Sequence, residues 1–326
     1  MIKKFTKVLL GLLVAFSFFS CATTNVVKEE KATITKSDTE MFWTLKGTDK
    51  NGEESTLYVL GTFHAGDQRI FPFAEEIDKA WDESNRYASE IATQDYPTIM
   101  SESEKRQKES MAREKVRIQE TGTTFLDSLS DEQLLCLIQL FGGGKVGEAN
   151  VMNFSQFEPW VLLSGISVVP LMSSGLNPAL GIDTQLTNRL FSEGKNSIGL
   201  DDLNLQLDIM EFGTWEQQLV MLQDSIDEII EDFPALIQET LDLYEAYLAA
   251  DADALSILMD AENEEATTDY EILLNNMVFT ERNMDWAEQF ANFLYEGGTT
   301  FIFAGCGHFV GPNSVFEHMR ENGDLN

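Results

Sequence analysis

The chain has 326 residues, with Lys+Arg 22 against Asp+Glu 55, giving a net charge of −33. That balance argues against a nucleic-acid partner, because phosphate backbones are held by basic surface, and against a folded domain lying on an anionic bilayer. With 43% hydrophobic residues and 22 phenylalanines, the length fits one large domain, or one domain carrying a helical insertion. The acidic excess reads first as a solvated, self-repelling surface, and second as a field that draws divalent cations or basic substrates.

At the N-terminus, Lys3, Lys4 and Lys7 precede an apolar run from Val8 to Phe19. This is the n-region and h-region of a secretory signal, too short for a comfortable membrane span. The run ends Phe18-Phe19-Ser20-Cys21, which resembles a bacterial lipobox with Phe18 where Leu is usual. The expectation is a signal peptide over 1–20, a lipid on Cys21 and a polar tether over 21–40. The alternative is an ordinary signal peptide or an uncleaved anchor. Ala22 is not an inner-membrane retention residue, so the expected location is the cell envelope, outer membrane preferred, with the domain outside the cytoplasm. Besides Cys21, only Cys136 and Cys306 remain; they either pair or are two small buried residues.

Met41 to Leu45 and Thr56 to Leu60 read as two short strands around a polar turn. The second is continuously apolar, as a strand buried on both faces would be, and it runs into Gly61-Thr62-Phe63-His64. Ile77, Ala80 and Trp81 stand at helical spacing within Ala74 to Ser84. Arg86 to Ile91 reads as a strand, and 98–122 as a charged helix. Ser130-Asp131-Glu132-Gln133 is a capping box opening a helix that Gly142-Gly143-Gly144 ends. The apolar segment Trp160 to Val169 fits helix or strand. Gly181 to Phe191 is a helix, Ser197 to Leu200 a short strand leading to Asp201, and Leu203 to Ala250 mostly helical. Glu281 to Tyr295 is a helix, Thr299 to Ala304 the last strand, and Pro312 to Arg320 a closing helix. Strands alternating with helices indicate the α/β class, a mixed sheet with flanking helices. The folded domain is expected over 41–326, with helical insertions at about 98–150 and 203–295.

Two of the three histidines stand in one local context. An apolar strand leads to Gly61-Thr62-Phe63-His64, and another to Gly305-Cys306-Gly307-His308. A glycine at a strand end lets the backbone turn sharply and approach other atoms closely. The polar residue beyond it is then held at the rim of the sheet, where ligands bind in open α/β sheets. If the two strands are neighbours, the imidazoles converge, and imidazole is a common ligand for Zn, Mn and Fe. Glu90, ending a strand, is the candidate oxygen ligand or base. Two histidines and a carboxylate make an open metal site that leaves room for water, whose pKa the metal lowers. Each histidine alone would more simply be a hydrogen-bonded structural residue, and Glu90 alone a surface carboxylate. His318 reads as exposed on the last helix, and Cys306 as packing within its turn.

These residues resemble the TraB/PrgY/GumN family, which includes the Wnt-cleaving TIKI metalloproteases. The resemblance covers about residues 41–324. It runs through Leu60 to His64, Phe71-Pro72-Phe73, Tyr87 to Glu90, Glu158-Pro159-Trp160 and Gly181-Ile182-Asp183. It continues through Gly194-Lys195, Gly199-Leu200-Asp201, Glu281-Arg282-Asn283 with Trp286, and Ala304 to Pro312. Two positions depart from the family pattern: Asp201 stands where Glu is common, and Cys306-Gly307 where small residues are usual.

The resemblance implies an erythromycin-esterase-like or ChaN-like fold. It implies a site of His64, Glu90 and His308, with Arg282 nearby, and manganese or cobalt as the ion, with zinc as an alternative. In that reading His64 and His308 bind the ion and Glu90 is third ligand or general base. Arg282 stabilises developing negative charge, unless it forms only a helix-surface salt bridge. Asp201 either orients a histidine from behind or caps the following helix. The expected function is a metal-dependent hydrolase outside the cytoplasm, acting on a peptide or protein substrate. The alternatives are a non-catalytic lipoprotein that binds or sequesters peptides, and a haem or cofactor binder.

Overall fold

A computed structural model describes residues 31–263 and 268–326; the expected signal peptide, Cys21 and the start of the tether lie outside the described residues. The strands are β1 (Thr33–Lys36), β2 (Phe42–Thr48), β3 (Glu54–Thr62), β4 (Arg86–Ser89), β5 (Ile198–Gly199) and β6 (Gly298–Gly305). They form one mixed sheet in the order β1-β2-β3-β6-β4-β5. The β1–β2–β3 end is antiparallel, while β3, β6, β4 and β5 are mutually parallel. The α/β expectation is met.

The expected tether is shorter than 21–40, because Thr33–Lys36 pairs with β2. This four-residue strand is polar and half-exposed along its length, which is why it reads as linker. The sheet core explains β3: Leu57, Val59 and Leu60 are at most 1% exposed, each such burial contributing about 1.5–3 kcal/mol.

Between strands the helices are α1 (Glu75–Glu83), α2 (Tyr96–Thr121), α3 (Asp131–Leu140), α4 (Gly144–Phe154), α5 (Pro159–Ser167), α6 (Val169–Ser173) and α7 (Ile182–Glu193). Then follow α8 (Leu205–Met210), α9 (Trp215–Leu248), α10 (Ala252–Asn263), α11 (Asp269–Asn275), α12 (Arg282–Glu296) and α13 (Val315–Asn322). α1 buries Ile77, Ala80 and Trp81, the face its spacing predicts. α3 carries both halves of its capping box. α5 settles the helix-or-strand question: Pro159 opens it, and apolar residues are buried on most of its faces.

Two apolar cores result. One lies on the sheet, where α12 rests against β2 and β3, and α1 and α7 against β6. The other is helical, built around Phe125, Leu137, Leu162, Ile166, Leu222, Ile226 and Val278. α9 joins them. Its first half gives Met221, Leu222 and Ile226 to the helical core, its second gives Tyr244 and Tyr247 to the sheet core, and the helix breaks between them at Asp232, beside Pro234. The helical part differs from the expected insertions at about 98–150 and 203–295 in two places: α5 also belongs to it, whereas α12 belongs to the sheet layer. No helix among the described residues is long and apolar enough to cross a membrane.

Candidate active site

Four parallel strands end along one rim. Across it Thr62 pairs with Gly305, Phe303 with Ser89, and Ser89 with Gly199. The residues just beyond these strands are His64 after β3, Cys306 to His308 after β6, Glu90 after β4 and Asp201 after β5. The sequence required β3 and β6 to be neighbours for the two histidines to meet, and they are.

The first turn is held from behind. Gly61 is needed for close approach rather than for a left-handed backbone: its φ is not positive, and a Cβ there would sit 2.9 Å from Cys306 Cβ. The Tyr247 hydroxyl donates to the Gly61 carbonyl at 2.8 Å, and the Phe63 ring packs on Tyr244 and Tyr247. Gly181 lies against the His64 carbonyl, where a methyl would overlap it, and Ile182 N–H donates to the Phe63 carbonyl at 3.0 Å. This brings the first turn of α7 to the ring. His64 Nδ1 stands 3.3 Å from Asp183 Oδ1, with 39% of the side chain exposed. Burial alone would hold the imidazole pKa down, but the Asp183 carboxylate, with Glu90 beyond it, raises it to about 9.

The second turn is closed. His308 is 3% exposed, with Trp286 4.4 Å and Phe279 5.4 Å from its ring. Its Nδ1 meets Asn283 Oδ1 at 2.6 Å. Asn283 Nδ2 donates to the Asn313 carbonyl at 2.6 Å, which fixes the amide so that Oδ1 faces the imidazole. An oxygen there can only accept, so the network assigns the proton to His308 Nδ1 and leaves a lone pair on Nε2. Burial, with the Arg282 charge nearby, keeps this imidazole well below its ordinary pKa. Phe279 belongs to a π-helical turn, Asn276–Glu281, that leads into α12; such turns recur at functional sites.

Glu90 lies between the turns. Its Oε1 accepts from Gly305 N–H at 2.7 Å and its Oε2 from Arg282 Nη2 at 2.7 Å. Burial opposes ionisation, yet Arg282 foremost among its neighbours brings its pKa down to about 2. Arg282 also grips Asp201, through Nε at 3.2 Å and Nη2 at 2.7 Å, and donates to the Val278 carbonyl at 3.3 Å. Trp286 Nε1 donates to Asp201 at 2.8 Å, while its ring stacks under the guanidinium. Burial pushes the Asp201 carboxyl up to about 7 against the pull of Arg282.

Two expected roles change. Arg282 is neither a surface salt bridge nor open to a reacting group: its side chain is 1% exposed and its guanidinium is committed to two carboxylates. It positions Glu90. Asp201 neither caps α8, whose N-cap is Asn204, nor touches a histidine; it balances Arg282. The residues that orient the histidines are Asp183 and Asn283, and neither role was read from sequence. Of the remaining candidates, His318 is only 15% exposed and bonds Asn313 Oδ1 through Nε2 at 2.9 Å. Cys136 and Cys306 are both free thiols, the second buried.

The histidines and the carboxylate converge. The point where a Gly305 Cβ would stand is 3.3 Å from Glu90 Oε1, 3.7 Å from His308 Cδ2 and 3.9 Å from His64 Nε2. Among the described residues no group of three or more His, Cys, Asp and Glu side chains already closes to ion-binding spacing. The donor chemistry nonetheless fits a divalent cation. Both imidazoles have Nδ1 engaged, which leaves Nε2 to coordinate. Each Glu90 oxygen takes one protein hydrogen bond and keeps a second lone pair. Nearby, the Thr62 hydroxyl is buried without a hydrogen-bond donor or acceptor from the protein.

The chain is 28% identical over 319 residues to a protein of Treponema pallidum (strain Nichols) described as uncharacterized, an alignment covering 96% of this chain and 90% of that one. No solved structure matches the chain. The model of the TraB/PrgY/gumN family matches residues 41–324, the span that holds the whole sheet rim from His64 to His308, and the chain belongs to that family.

Proposed function

We propose that this protein is a metal-dependent hydrolase acting on peptides or proteins outside the cytoplasm. The observation that carries the reading is the meeting of two imidazoles, each with Nδ1 engaged, at the rim where Glu90 also ends. His64 Nε2 and His308 Nε2 would hold a divalent cation, manganese or cobalt before zinc. Glu90 is the third ligand rather than a general base, since a carboxylate with its pKa near 2 accepts protons poorly. Such an ion supplies a Lewis acid and an acidified water at neutral pH. Arg282 keeps Glu90 ionised and aimed, and Asp183 and Asn283 hold the rings in the binding tautomer. The N-terminal pattern supports export, with a lipid on Cys21 tethering the domain to the cell envelope. The acidic surface gives no support to a nucleic-acid partner.

A second reading, peptide capture without turnover, is favoured by one observation: both Glu90 oxygens are already engaged by the protein. Full-length protein purified in detergent separates the two. Bound Mn, Co, Zn and Fe are measured first, then cleavage of a peptide library with and without chelator. The hydrolase reading expects metal binding that His64→Ala and His308→Ala each abolish, and cleavage that chelator stops. Retention of full metal affinity by both variants would falsify the site. Metal binding and peptide binding without cleavage under any ion would leave the capture reading standing.

A further inference from the structure

A hydrolytic site needs a hydrogen-bond donor for the oxygen that gains charge, and the obvious cation cannot serve, since Arg282 is buried and committed to Glu90 and Asp201. Beside Glu90, Asp183 and the two Nε2 atoms that would hold the ion, the described residues place the Thr62 hydroxyl near the site, but it is buried at the end of β3. We infer that the Tyr96 phenol supplies this donor, placed to bond the oxygen of a bound peptide that gains charge. The inference rests on the hydrolase reading.

Placement comes from two directions. Tyr96 follows Glu90 by one short loop, and that loop is pinned. Thr93 N–H donates to Ser197 Oγ at 2.9 Å, Ser197 N–H donates to Thr93 Oγ1 at 3.0 Å, and the Ser89 and Ser197 hydroxyls meet at 2.7 Å. The ends of β4 and β5 thus hold the segment that carries both Glu90 and Tyr96. On the other side stands α7. Asp183 and Thr187 are four residues apart on that helix and share a face. Asp183 faces His64, and Thr187 is the polar neighbour of the Tyr96 hydroxyl. The Tyr96 ring lies edge-on to Phe191, one turn further, at 6.3 Å. The phenol therefore stands about one helical turn from the group that holds His64, within reach of the fields of Asp183 and Glu90, and it is only half-buried. Burial, reinforced by those carboxylates, raises its pKa above the usual phenol value, so at neutral pH it keeps its proton. It acts by donating a hydrogen bond, and no bond of the phenol breaks.

The test is Tyr96→Phe in the full-length protein loaded with manganese. Three quantities are read: Mn affinity, affinity for a phosphinic dipeptide that mimics the tetrahedral oxyanion, and kcat with KM on a cleaved peptide. The expected result is unchanged Mn affinity and KM, phosphinate affinity at least 10-fold weaker, and kcat lower by about 10²–10³-fold. Equal phosphinate affinity in wild type and variant would overturn the assignment, as would wild-type protein that binds no phosphinate. Loss of Mn affinity in the variant would make Tyr96 a structural residue and overturn it too. If the wild type binds phosphinate but cleaves nothing, the hydrolase reading fails by itself, and weaker phosphinate binding by the variant still carries the donor assignment.

Discussion

The two Gly-x-x-His turns are alike in sequence and opposite in construction. His64 is partly exposed and backed by a carboxylate, Asp183. His308 is buried, packed against Trp286 and backed by a neutral amide, Asn283. The first ring is raised to about pKa 9, whereas the second is held well below its ordinary value. The strand-end motif therefore fixes where each imidazole sits, and its surroundings fix its charge: the Asp183 carboxylate at the first turn, burial and the Arg282 cation at the second. A cation would meet one ligand that must first lose a proton and one already bare.

Removing what spans both turns should cost most. Arg282→Met leaves Glu90 and Asp201 without their shared cation at a buried site. The expected loss is about 3–5 kcal/mol of stability, read as a lower denaturant midpoint. A variant within 1 kcal/mol of wild type would mean that the triad is not what fixes Glu90 between the histidines.

A smaller change addresses the first turn alone. A methyl at Gly181 overlaps the His64 carbonyl, so Gly181→Ala should cost about 1–3 kcal/mol and weaken metal binding through His64, with the His308 environment undisturbed. Equal perturbation of both imidazole signals in NMR spectra would show that the turns are not independently supported.

The second turn depends on its amide. Asn283→Ala removes the acceptor that fixes the His308 tautomer, and about 10–100-fold in metal affinity should go with it. Asp183→Asn keeps an acceptor behind His64 and should lose less. Calorimetric titration with manganese ranks the two; the reverse order would mean that charge, not tautomer, is what the supporting residues supply.

The rim was legible because strands, glycines and histidines write local patterns. Continuous burial marks β3, the last strand is equally apolar, and glycine precedes each histidine by three residues. Asp183 and Asn283 were not legible as supports. A polar residue near the start of a helix reads as a cap or a solvated group, and each acquires its partner only when α7 or α12 docks on the sheet. Arg282 was expected near Glu90, where it lies, but with its guanidinium open, since sequence does not reveal that it also meets Asp201. β1 was missed because Thr33, Thr35 and Lys36 are what an edge strand and a linker have in common.

The last prediction concerns charge alone and has the smallest effect. In metal-free protein the unfolded imidazoles titrate near 6.5. His64, raised in the fold to about 9, contributes stability that is fully present below about pH 6.5 and is lost as pH rises through about 9. His308, depressed in the fold, works the other way: as pH falls below about 6.5 the unfolded state takes up a proton that the folded state refuses, and stability falls. The metal-free protein should therefore weaken on both sides of a plateau, the acid limb from the second turn and the alkaline limb from the first. Imidazole signals, assigned through His64→Gln and His308→Gln, should titrate at opposite ends of the range. Asp183→Asn should bring the His64 midpoint down and flatten only the alkaline limb, because the carboxylate that held the proton is gone while Asn283 still faces His308. Were both limbs to change together, the rings would be one coupled unit, and the contrast between a charged and a neutral support would lose its meaning.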